Sequence, residues 1–175
     1  MNKSLYGLLI AVWLAGALSA GAQESRGPQT VDIVALQAEV ERLRSIMPGQ
    51  AVAMTQVAYN FNNLWFAARA QNWPLAQFYF NETRVRLRWA MRITPTRKIA
   101  SGEIALVPIL DAFEAAELAA LEQSIGAKDE QRFEASYRRT MDACSACHAA
   151  SEKSFLRLHI PAVPAEAMIE FSPSN

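Results

Sequence analysis

The chain has 175 residues, with 17 Lys and Arg balanced by 17 Asp and Glu, two His and two Cys. Half of it (51%) is apolar and only seven residues are Gly, which excludes a disordered or collagen-like chain. That length fits one domain with a short extension. Zero net charge gives no electrostatic footprint for nucleic acid, and two Cys do not build a disulfide scaffold.

Residues 1–22 carry a single Lys (Lys3), an apolar stretch from Leu5 to Leu18, and small residues at Ala20-Gly21-Ala22. This is the pattern of a secretory signal peptide. Its apolar run falls short of the ~20 residues that span a bilayer. The expectation is an exported, periplasmic protein whose mature chain does not span a membrane. A polar leader with Gly27 and Pro28 follows. Residues 31–46 then place Val31, Ile33, Val34, Leu36, Val40, Leu43 and Ile46 among charges, which predicts an amphipathic helix of about four turns. Pro48-Gly49 ends it. Such a helix either packs on the domain or forms a short dimerising coiled coil.

Four further helices are predicted. In residues 50–70 the stripe Met54, Val57, Ala58, Phe61, Leu64, Trp65, Ala68 keeps one face toward a core. Asn72 is placed to cap the next helix, with Pro74 in its first turn. That helix runs to about Ile93, with Leu75, Phe78, Val85 and Trp89 inward and Arg84, Arg86, Arg88 and Arg92 mostly outward. A loop with Pro95, Ser101 and Gly102 follows. The next helix starts near Glu103 or Val107, where Pro108 is tolerated in the first turn, and continues to Ser124. Leu106, Ile109, Phe113, Ala116 and Ala120 share its face. Gly126 is a stop and Asp129 a cap. The last helix extends from Glu130 to about Leu156, with Phe133, Tyr137, Met141, Cys144 and His148 on one face. Residues 159–175 form an extended tail with Pro161, Pro164 and Pro173. No alternating strand pattern or hairpin signal stands out. Short connections between amphipathic helices predict an all-α, antiparallel up-down-up-down four-helix bundle over residues 50–158. The helix within residues 23–49 is an addition to it.

Cys144-Ser145-Ala146-Cys147-His148 is Cys-x-x-Cys-His, the attachment motif of c-type haem. Two thiols bond the vinyl groups on one edge of the porphyrin, and the adjacent imidazole reaches the iron as proximal ligand. On a helix the three side chains fall at i, i+3 and i+4 and share a face. A redox dithiol would call for a βαβ setting, which is absent. A closed zinc site would need a fourth ligand, and the other His is His159. A disulfide within one helix would constrain almost nothing.

A helical bundle with this motif on its last helix resembles the cytochrome c′ family, including its low-spin relatives, over roughly residues 50–156. The resemblance implies thioether bonds at Cys144 and Cys147 and His148 as the proximal ligand of one haem c iron. It also implies a distal face turned toward the first helix of the bundle. In low-spin relatives a Met near the start of that helix is the sixth ligand, and Met54 matches it; otherwise Met54 is a core methionine. Met47 is a weaker match. His159, eleven residues past His148, would stand about 16 Å further along a continued helix and reads as surface. Ser151 and Glu152, three and four positions past His148, depart from the aromatic and basic residues that high-spin members often carry there, and Lys153 comes next. Arg84, Arg86, Arg88 and Arg92 could pair with haem propionates or form a solvated face. Phe61, Trp65, Phe133 and Tyr137 read as packing around the haem.

The expected function is one-electron transfer by a mono-haem cytochrome acting with redox partner proteins, rather than enzyme catalysis. The alternatives are binding of NO or CO at an open distal face, and service as a haem-bearing docking subunit of a larger redox complex. A homodimer is expected from the resemblance.

Overall fold

The computed structural model describes residues 32–165 and 168–173. The expected signal peptide and the leader up to residue 31 lie outside them. Contacts divide the chain into two units, Met1–Ser45 and Ile46–Asn175. The described part of the first is essentially helix α1, Ile33–Ile46. Asp32 Oδ1 accepts from the backbone N–H groups of Val34 (3.0 Å) and Ala35 (3.1 Å) and so caps α1. No residue of α1 is buried.

The second unit is mostly helical: α2 is Gln50–Arg69, α3 Trp73–Ile93, α4 Leu106–Phe113, α5 Ala119–Gly126 and α6 Glu130–Ala150. A five-residue π turn, Glu114–Leu118, joins α4 to α5. The expected caps are in place. Asn72 Oδ1 accepts from Leu75 N at 3.3 Å, with Pro74 in the first turn of α3. Asp129 Oδ1 accepts from Arg132 N at 3.0 Å at the start of α6. The tight joints before these caps use left-handed residues, Gln71 (φ 58°) and Lys128 (φ 54°). α5 ends at Gly126, the stop expected there.

α2 is buried on two sides, because it packs on both α3 and α6. Fully buried Ala67, Ala68, Ala76 and Ala90 let α2 and α3 approach closely, and this is the most extensive helix contact. α3 also meets α4 and α5, and α5 meets α6. Leu64, Phe80, Leu118, Leu121, Ile125, Phe133 and Tyr137 are at most 2% exposed and form the centre of the core.

Four expectations are corrected. On α3, Phe78, Val85 and Trp89 are exposed, whereas Ala76, Tyr79, Phe80, Thr83, Leu87 and Ala90 are buried. α3 turns between α2 and the α4–α5 segment, so its buried arc is rotated from the one the apolar residues suggested. On the third segment, the π turn winds in one extra residue. It moves the buried stripe from the expected Ala116 and Ala120 to Leu118, Leu121 and Ile125. α6 stops at Ala150, not near Leu156. Glu152 is left-handed (φ 58°), and Lys153 N donates back to His148 O at 2.8 Å, closing the helix end. The loop after α3 contains a hairpin, β1 Thr96–Ile99 against β2 Gly102–Ala105. Its two-residue turn places Gly102 at φ 139°, a conformation that other residues rarely adopt. The tail is extended, as expected, but docks: Phe171 packs at the edge of Phe66 and against Tyr79.

Phe133→Ala is expected to cost about 3–5 kcal/mol in urea unfolding, as for other fully buried aromatics. Phe78→Ala, on the exposed side of α3, should change stability by no more than ~0.5 kcal/mol. Equal losses would contradict the buried arc of α3.

Candidate functional site

α2 and α6 meet through an aromatic ladder. Phe61 stacks on Tyr137, with ring centroids 4.1 Å apart and planes 4° from parallel. Tyr137 Oη donates to Phe61 O at 2.9 Å. Trp65 meets Phe133 with centroids 6.1 Å apart, and Arg69 bonds Glu130. As the number rises along α2 from Phe61 to Trp65 to Arg69, the α6 partner falls from Tyr137 to Phe133 to Glu130. The pair is therefore antiparallel and in fixed register. Met54 stands seven residues before Phe61, and Cys144 seven residues after Tyr137. Two helical turns, about 10 Å, bring Met54 to the level of Cys144. Met54 is partly buried and packs on the core.

At this end of the second unit three further elements converge. Gln50 Nε2 donates to Ala90 O at 3.3 Å, linking the start of α2 to the end of α3. Arg97, on β1, donates to Gln50 Oε1. Ala100 N, in the hairpin turn, donates to Glu152 Oε1 at 2.7 Å, just past α6. The hairpin thus ties the N-terminus of α2 to the C-terminus of α6, beside the Cys-x-x-Cys-His motif.

The motif occupies the last two turns of α6. Neither cysteine is in a disulfide, and Cys144, Cys147 and His148 are all partly buried. Burial pushes the Cys144 thiol up to about 12, with smaller contributions from Cys147 and Glu117. Burial also raises the Cys147 thiol, while the Ser151 side chain and the Arg97 guanidinium pull it back. Burial, then the Lys153 ammonium, holds the His148 imidazole below its ordinary value, and the Leu156 backbone offsets part of this. A neutral imidazole is the form that ligates a metal. His148 Nδ1 is buried and finds no hydrogen-bond partner among the described residues. An orphaned buried polar atom of this kind costs about 1–3 kcal/mol. Two free thiols one turn apart, beside an imidazole whose Nδ1 has no hydrogen-bond partner among the described residues, suit covalent haem attachment with His ligation.

The remaining sequence candidates disperse. His159 is exposed in the tail, and Met47 is exposed just after α1. Arg84 pairs with Glu122 (3.3 Å), Arg86 with Glu82 (3.1 Å) and Arg88 with Glu114 (2.7 Å). These three arginines therefore already have carboxylate partners. Arg97 and Glu117 were not singled out from sequence. Arg97 sits in a hairpin whose four-residue strands are too short to show alternation, and Glu117 is turned toward Cys144 by the π turn. Among the described residues no helix is long and apolar enough to cross a membrane. No family model, curated protein or solved structure matches the chain.

Alkylation of the chain with both thiols free tests the site's electrostatics. At pH 8 Cys144 should react at least about a hundredfold more slowly than in urea, and after Cys147, because only the thiolate attacks. The raised value also predicts that this form loses stability as pH climbs from 9 toward about 12, since the unfolded chain releases that proton first. Equal rates in native buffer and urea would contradict the burial of Cys144.

Proposed function

We propose that the chain is an exported mono-haem cytochrome whose second unit is an antiparallel four-helix bundle, and that it acts in one-electron transfer. The observation that carries this reading is the Cys144-x-x-Cys147-His148 motif placed, by the α2–α6 register, level with Met54. The contacts of α2 with α3 and α6, and of α5 with α3 and α6, support the bundle arrangement. The resemblance of this motif position to the cytochrome c′ family points the same way. Export is supported by the signal-peptide pattern of residues 1–22.

Haem c supplies an Fe(II)/Fe(III) couple. The chain's share is to hold and tune it. Cys144 and Cys147 would hold it covalently and His148 would ligate its iron. Met54 would be the second iron ligand from the chain, and a His/Met pair raises the potential. Val57 and Trp65 are buried on α2 near Phe61 and keep water from that side. Arg97 places a cation beside Cys147 and favours the reduced, less positive centre.

The visible spectrum tests the ligand set. The reduced protein should show sharp low-spin bands and no response to CO. Met54→Ala should turn it high-spin and CO-sensitive. A wild-type protein that is broad-banded and binds CO would instead make it a gas-binding relative, and an unchanged Met54→Ala spectrum would remove Met54 from the ligand set.

Arg97→Gln should lower the reduction potential by tens of millivolts, the effect of a unit charge about 10 Å away at an effective dielectric near 20. Protein-film voltammetry reads this directly. An unmoved potential would place Arg97 outside the haem's field.

A further inference from the structure

The α1 helix carries an apolar seam, and none of its residues is buried. Ile33, Leu36, Val40, Leu43 and Met47 follow one another at spacings of 3, 4, 3 and 4, and are 66%, 53%, 44%, 45% and 46% exposed. This is a heptad seam with Ile33 and Val40 at a and Leu36 and Leu43 at d, and Met47, just past the end of the helix, continues the spacing. β-Branched residues at a with Leu at d favour two parallel strands. The flanking positions agree: Glu39 falls at g, and Arg44, five residues on, at e. In a parallel pair in register, Glu39 of one chain faces Arg44 of the other. An antiparallel pair would set g against g and e against e, and bring these charges no such match.

We propose that α1 pairs with α1 of a second copy as a short parallel coiled coil, making the protein a dimer through this segment. Within one chain Glu39 bonds Arg42 and Arg44 bonds Glu41, all exposed. Exposed pairs of this kind contribute little, so exchange for partners across the seam costs little. Fourteen residues are marginal as an isolated helix in water, and the Asp32 cap together with the buried seam supplies what propensity lacks. A lipid surface fits α1 less well. Its charges are two Glu and two Arg, and it has no aromatic residue, whereas interfacial helices carry a Lys- or Arg-rich polar face, with Trp, Phe or Leu on the other.

Sedimentation equilibrium of the full protein over a concentration series, with circular dichroism on every variant, tests this. The expected mass is that of two chains. Leu36→Lys with Leu43→Lys should weaken association by about a hundredfold or more and leave the thermal transition of the bundle in place. Glu39→Arg and Arg44→Glu should each weaken association, and the two combined should restore it. A single-chain mass at all concentrations would overturn the proposal. A dimer insensitive to the two Lys substitutions would also overturn it, and would move the interface to the bundle. Failure of the combined charge swap to restore association would overturn the parallel register. A single-chain mass joined to seam-dependent cosedimentation with anionic vesicles would give the helix to lipid instead.

Discussion

The stack of Phe61 on Tyr137, locked by the hydroxyl's bond to Phe61 O, sets the register of α2 against α6. The placement of Met54 level with the motif depends on that register. A shift of one helical turn would carry Met54 about 5 Å along α6 and away from the level of Cys144. The ladder repeats the constraint at Trp65–Phe133 and Arg69–Glu130, so no single contact holds it alone. Stacked aromatic pairs add about 0.5–1.5 kcal/mol beyond their buried area, and directional contacts of this kind select one register among those that burial alone would accept.

The opposite device works at the motif end. There the hairpin ties α2 to the segment past α6 through Gln50, Arg97, Ala100 and Glu152. Glu152 both ends α6 in a left-handed turn and accepts from the hairpin. The early end of α6 leaves His148 in its last turn, partly buried, with Lys153 near enough to disfavour the imidazolium. The thiols are kept protonated by burial while free. Burial thus disfavours the charged form of all three side chains of the motif.

Much of this was legible in the sequence because it rests on local rules. Asn72 and Asp129 cap helices with their own side chains, and the Cys-x-x-Cys-His spacing is contained in one helical stretch. The features that escaped are those decided by tertiary contacts. The buried arc of α3 is chosen by two neighbours at once, so Phe78, Val85 and Trp89 face solvent despite their apolarity. The π turn adds one residue without any sequence mark, and it changes which side chains of the third segment turn inward. The hairpin's strands are too short for a period to show, yet they bring Arg97 beside the motif. The end of α6 is fixed by a left-handed Glu152, a residue type with no preference for that conformation.

The most direct test is whether haem stays with the chain after denaturation. The protein, produced with a periplasmic cytochrome maturation system, is run on a denaturing gel, stained for haem peroxidase activity and assayed as the pyridine haemochrome. The account predicts one haem per chain that survives denaturation and acid–acetone extraction, and its loss in the Cys144→Ala, Cys147→Ala double variant. A wild-type chain that folds and carries no haem, or releases it on extraction, would contradict the central claim and return the two cysteines to dithiol chemistry.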